Sequence, residues 1–333
     1  LDEATGSWGQ MGTEIACKAH LSGGRLVVNK KTWFAHMFRT QGGTFGFPYE
    51  IHGSDQEKAR KYSRGVWFGN KWPKAIHNLQ WLIDKFAPVP DWPTNTAIRV
   101  KKGIVYYTHN ELRLKIAHAV QKRLRKIGHK LEIPIVSVSL KPMPHFGEKN
   151  VHLKLKRGIL TMFRQILAGL EASDAEIIFF AEHDVLYHTS HFDFIPPRRD
   201  VFYYNTNVWK LRATDGHAVK VDDCRQTSGL CAYRSLLIEH YRERVKQVEE
   251  NGFSRKMGFE PGTHGRKERI DDYESETWVS EYPNLDIRHG NNLTHSRWKR
   301  EEFRNQKYTK GWMETDDEIE GWGKTEDILR FFV

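Results

Sequence analysis

Ile177-Ile-Phe-Phe-Ala-Glu-His-Asp-Val-Leu-Tyr187 is the stretch on which the fold turns. Its first five residues are apolar with no polar alternation, the pattern of a strand buried on both faces of a mainly parallel sheet. Two carboxylates, Glu182 and Asp184, follow at i, i+2 spacing. The C-terminal ends of strands are where open α/β sheets bind ligands. Burying two carboxylates side by side costs several kcal/mol unless a cation neutralises them, so the stretch calls for a divalent metal.

Working upstream, Gly103-Ile-Val-Tyr-Tyr-Thr108 reads as a strand, residues 111–127 as a basic amphipathic helix, and Ile133 to Ser139 as a second strand. Such a βαβ unit is almost always right-handed. A loop, Lys141-Pro-Met-Pro-His-Phe-Gly147, and a helix over residues 158–172 lead into the central strand. Thr108, His109 and Asn110 end the first strand, where such folds meet a nucleotide. Asn110, just before Glu111, also suits a helix N-cap. Downstream, residues 201–209 read as a strand, 235–250 as a helix, and Tyr282 to Gly290 as a strand ending in His289. Gly229, in Thr-Ser-Gly-Leu, allows backbone to approach a ligand or simply to turn. Residues 301–333, with Trp312 and Trp322 in polar surroundings, read as a peripheral tail.

Before this domain, residues 13–21 show helical spacing, Arg25-Leu-Val-Val-Asn29 reads as a short strand, and residues 55–62 and 74–86 as helices. Residues 87–101 begin with three prolines in close succession and form a linker. The division is therefore 1–86, 87–101, 102–300 and 301–333. The chain opens on Leu1 and not Met, which suggests a fragment.

The 333 residues carry 52 Lys and Arg against 42 Asp and Glu, a net charge of +10, with 39% hydrophobic residues. That composition excludes a disordered chain and favours anionic ligands without choosing among them. No window reaches the ~18 apolar residues of a membrane span. Three cysteines without metal-site spacing make a reduced, cytoplasmic setting the expectation.

The order of elements from Lys102 to Trp298, with Glu182-His-Asp184 standing where the Asp-x-Asp motif stands and Asp286-Ile-Arg-His289 ending a later strand, resembles an A-type glycosyltransferase domain. The departure is Glu for the first Asp and His between. The resemblance implies an α/β, Rossmann-like fold with a mainly parallel sheet flanked by helices, preceded by an N-terminal α/β fragment. Gly9-Gln-Met-Gly-Thr-Glu14, Leu21-Ser-Gly-Gly24 and Trp33-Phe-Ala-His36 resemble the C-terminal third of a family 2 glycosyltransferase. There Glu14 would be the catalytic base and His36 a metal ligand, with the donor-binding half lying upstream.

The resemblance implies an enzyme that moves a sugar from a nucleotide-diphosphate donor to a glycan or other hydroxyl acceptor. A hard cation, Mn²⁺ or Mg²⁺, would be held by Asp184, Glu182 and His289 together with the donor phosphates; imidazole tilts the choice toward Mn²⁺. Glu182 alternatively touches the ribose. Glu260, in Gly-Phe-Glu-Pro-Gly262, is the first choice of base, with Asp271 and Asp272 behind it. Other classes stay open: a nucleic-acid-directed glycosyltransferase, a metal-dependent phosphoryl transferase or nuclease, and a non-catalytic carbohydrate- or nucleic-acid-binding protein.

Overall fold

A computed structural model describes residues 2–5, 10–35, 53–87, 100–290, 292, 295–303 and 305–332. The chain divides into two compact units, one of residues 1–100 with 197–199, the other of 101–196 with 200–333.

In the first unit the described regular elements are helices: α1 (Met11–Leu21), α2 (Gly53–Trp67) and α3 (Leu79–Phe86). Cys17, Leu21, Trp67, Ala75 and Leu79 form its core. The strand expected at residues 25–29 is absent: Val27 and Val28 are 76% and 85% exposed, and a strand needs a paired neighbour. The helix expected from residue 74 starts at Leu79, because Asn78 caps it by accepting the Trp81 N–H at 2.7 Å. His36 and most of the 87–101 linker lie outside the described residues.

The second unit opens with β1 (Lys102–Thr108), α4 (Leu114–Leu131), β2 (Ile135–Ser139) and β3 (Lys149–His152). Next come α5 (Ile159–Ala172), β4 (Ile177–Glu182), β5 (Val185–Leu186), β6 (Val201–Asn205), β7 (Val208–Arg212) and β8 (Ala218–Lys220). β9 (Leu230–Tyr233), α6 (Arg234–Asn251), β10 (Glu274–Trp278), β11 (Asn284–Arg288) and β12 (Met313–Thr315) follow.

Seven strands form the main sheet in the order β10-β6-β9-β4-β1-β2-β3. Only β9 runs antiparallel to its neighbours. Helices cover both faces. Gln121 of α4 donates to the Tyr106 hydroxyl on one face, and Phe163, Ile166 and Leu170 of α5 pack with Val105 and Val138 on the other. This is the α/β, Rossmann-like architecture with a mainly parallel sheet flanked by helices that the sequence led us to expect.

A second sheet runs β12-β8-β7-β11-β5. The single strand expected over residues 201–209 is two strands, one in each sheet. Asn205 Oδ1 accepts the Asn207 N–H at 3.0 Å, a local bond that competes with the ladder and turns the chain at Thr206. α4 begins at Leu114 and not at residue 111. Asn110 sits in the left-handed region at φ 62°, and its Oδ1 is taken by the Leu140 and Lys141 N–H groups at 2.8 and 2.9 Å, so it is no N-cap.

Candidate functional site

β1 continues to β2 on one side of the sheet, whereas β4 lies on the other, so the strand order reverses between β1 and β4. Ligand crevices of open α/β sheets lie outside the C-terminal ends of strands at such a reversal. The two strand ends are aligned there: Tyr107 pairs with Glu182 across the parallel ladder.

Glu182 is the last residue of β4. Its Oε1 accepts the Tyr107 hydroxyl at 2.6 Å, and its N–H donates to the Tyr187 hydroxyl at 3.0 Å. Burial, then the charge of Asp184, pushes its carboxyl up to about 8 despite the Tyr107 bond. Two residues on, past the turn, Asp184 Oδ2 accepts from Asn292 Nδ2 at 2.9 Å and lies 3.3 Å from His289 Nε2. Burial acts to raise Asp184, but the His289 bond and the neighbouring imidazoles hold it below the usual aspartate value. Asn292 Oδ1 in turn accepts the His289 N–H at 2.6 Å, fixing the strand-end loop.

His183 stands between the two acids in the chain. Its Nδ1 meets Thr108 Oγ1 at 3.0 Å, and its ring sits edge-on to His109 at 4.8 Å. Burial and His183 push His109 down to about 4. Thr108 Oγ1 also accepts the Asn110 N–H at 3.0 Å. Thr108 and Asn110 thus brace the strand ends, and His109 Nδ1 accepts the Glu111 N–H at 3.1 Å.

A third carboxylate joins this pair. Asp286, 4% exposed, lies opposite Val185 where β11 runs antiparallel to β5, and the Ile287 N–H donates to the Asp184 carbonyl at 2.8 Å. Burial pushes Asp286 up, against the pull of Arg288 at 3.3 Å and with a further push from Asp184. Gln226 Nε2 donates to Asp286 Oδ2 at 2.9 Å. Asp286 figured in the sequence only as part of a motif. The signal that marks it is a lone acid inside the apolar run Asn284-Leu-Asp-Ile287, which a buried strand position tolerates only when it is partnered.

Glu260 lies in a turn closed by the Thr263 N–H to the Glu260 carbonyl at 3.2 Å, with Gly262 at φ 71°. A side chain at Gly262 would also meet the Glu274 backbone at 2.8 Å, so glycine is required there. Burial pushes Glu260 up, and its charge acts on Glu182. Asp272 is exposed, two residues before β10, at the opposite end of the sheet's strands from Glu182. Its neighbour Asp271 bonds His240. Gly229 ends a short 3-10 turn, and a side chain there would meet the Asn205 carbonyl at 2.9 Å; the glycine serves the approach of two chain segments.

In the first unit, Glu14 is 5% exposed in the first turn of α1, where it accepts the Asp2 N–H at 2.6 Å and Lys18 Nζ at 2.5 Å. The Lys18 bond, partly offset by burial, holds its carboxyl below the usual range.

The charge of Asp184 pushes both Glu182 and Asp286 up, a condition a cation relieves, and carboxylate oxygens with an imidazole nitrogen suit Mn²⁺ or Mg²⁺. Among the described residues no group of three or more His, Cys, Asp or Glu side chains is placed to hold a metal ion.

No known family matches the chain, and no curated protein matches it. Three similar solved structures are glycosyltransferases. One, involved in glycosylation of the major capsid of PBCV-1, has a TM-score of 0.33 and 9% identity over 56% of this chain and 91% of that one. A Drosophila β-1,4-galactosyltransferase 7 variant with manganese, UDP-Gal and xylobiose gives 0.29 and 12% over 46% and 63%. Mannosyltransferase PcManGT from Pyrobaculum calidifontis, with GDP-Man and Mn²⁺, gives 0.33 and 14% over 63% and 61%. Likeness at this level assigns no activity. No helix among the described residues is long and apolar enough to cross a membrane.

Proposed function

We propose that the unit beginning at residue 101 is a metal-assisted glycosyltransferase, moving a sugar from a nucleotide-diphosphate donor to a hydroxyl acceptor. The observation that carries this reading is the set of carboxylates at the strand reversal, half-buried Glu182 and Asp184 with buried Asp286, and His289 on Asp184. Asp184 and His289 would hold Mn²⁺ or Mg²⁺, with Glu182 beside them. A cation bound there supplies positive charge against the negative charge that develops on a departing nucleoside diphosphate.

The chain's own residues do the rest. Asn292 and the Ile287 N–H fix Asp184 before any ligand arrives. Tyr107 fixes Glu182 in the same way. His109, kept neutral at pH 7, offers the nucleotide a hydrogen-bonding rim without repelling a cation. Glu260 is the proposed base: it sits in a turn fixed by Gly262, and burial raises its carboxyl above the usual glutamate value. Asp272 is the weaker choice, being exposed at the far strand end. For the first unit the family 2 reading stands as a proposal resting on Glu14, buried at the start of α1.

The test is Mn²⁺-dependent hydrolysis of UDP- and GDP-sugars by the full chain, beside Asp184→Ala with its fold checked by circular dichroism. Turnover that vanishes in the variant supports the reading. Unchanged turnover, or none with any nucleotide-sugar and metal, overturns it.

A further inference from the structure

We propose that the outer side of α4 and the chain crossing from β2 to β3 form a docking groove for the phosphodiester backbone of a single-stranded nucleic acid. The surface uses none of the carboxylate-site residues and stands independently of the transferase reading.

α4 contains no Asp or Glu from Leu114 to Leu131. Its inward side buries Ile116, Val120, Leu124 and Ile127, which turns its polar residues outward. Lys115, His118, Lys122, Arg125 and His129 are all exposed and recur at spacings of 3, 4, 3 and 4, one continuous stripe on a helix. At 1.5 Å per residue the stripe is about 21 Å long. Lys126 and Lys130 widen it. Among the described residues none of these Lys and Arg side chains has an acidic partner. Arg123 shows the contrast, since it is consumed internally: its Nε donates to the Tyr187 carbonyl at 2.6 Å and its guanidinium stacks on Trp322.

The crossover between β2 and β3 walls the other side. Phe146 packs edge-on to Tyr106, and Arg125 donates to the His145 carbonyl at 2.8 Å, which holds that wall against the helix. Between them lies an open groove of about 600 Å³ lined by His118, Lys122 and Arg125 on one side and Met143, Pro144 and His145 on the other.

A row of uncompensated cations beside a linear groove matches a chain of regularly spaced negative charges. A membrane-surface helix would present a row of large apolar side chains outward, whereas α4 exposes only Leu114, at its first residue. The exposed imidazoles of His118 and His145 offer flat faces against which bases stack.

Fluorescence anisotropy of a labelled single-stranded oligonucleotide with the full chain tests this, using Lys115→Glu/Lys122→Glu and the charge-keeping Lys115→Arg/Lys122→Arg. The reversal variant is expected to bind at least roughly tenfold more weakly, with a salt slope shallower by about 1.4 for two lost phosphate contacts, while the arginine variant binds like the parent. Equal binding by all three forms, or none by the parent at low salt, overturns the proposal. So does capture of phosphatidylserine vesicles or heparin with the oligonucleotide ignored. Circular dichroism of the reversal variant guards against a folding defect. Nucleotide-sugar turnover, expected to stay unchanged in it, separates this proposal from the transferase reading.

Discussion

The Tyr107 hydroxyl donates to Glu182 Oε1 at 2.6 Å, joining the end of β1 to the end of β4 across the strand reversal. Tyr107 is buried and Glu182 half-buried, so each depends on the other. Tyr107→Phe leaves a half-buried carboxyl short of a partner and is expected to cost about 1 kcal/mol. Urea unfolding measures it; a variant as stable as the parent would show that the bond contributes nothing.

His289→Ala removes the imidazole from Asp184 while leaving Asn292 in place. Mn²⁺ affinity, read from the metal-induced rise in melting temperature, is expected to fall by about 10–100-fold, the size of effect seen when groups around a metal site are removed. An unchanged Mn²⁺ titration would remove His289 from the ligand set.

His191 gives a pH signature away from this site. It is fully buried, and its Nδ1 accepts from Asn205 Nδ2 at 2.9 Å and lies 3.1 Å from Asn284 Nδ2. Burial pushes it down to about 3. The unfolded chain therefore binds the proton first, and stability falls as pH drops from about 6.5 toward 3. Other buried histidines share that slope, so the decisive quantity is a difference. His191→Gln is expected to lose less melting temperature between pH 7 and pH 4.5 than the parent does, and an equal loss would refute the assignment.

Gly229→Ala places a methyl group 2.9 Å from the Asn205 carbonyl oxygen. The strand cannot yield there, since Asn205 also holds Asn207 and Ser280. A loss of roughly 1–3 kcal/mol is expected from overpacking. Calorimetry checks it, and neutrality would mean that the turn relaxes.

The central strand was legible because a run buried on both faces has a simple signature, and the acids that end it stand out. The parallel strands β1 and β2 followed from the same signature. Asp286 was not assigned a role, because its place beside Asp184 depends on β11 pairing with β5 about a hundred residues away, and no local pattern records that pairing. Residues 201–209 look uniform, yet the Asn205 side chain takes over a backbone bond and sends the chain into a second sheet. Asn110 read as a cap from its type and position alone. Its positive φ and its two backbone donors from the β2 loop are tertiary facts.

The turn at Asn205–Asn207 has a consequence for how the site responds to its ligands. Glu182 belongs to the seven-stranded sheet, whereas Asp286 belongs to the five-stranded one. Whatever grips both is a rivet through two plates. Occupancy would then be felt along each sheet, as far as β3 on one side and β12 on the other, and the crevice would work as the joint of the domain as well as its mouth.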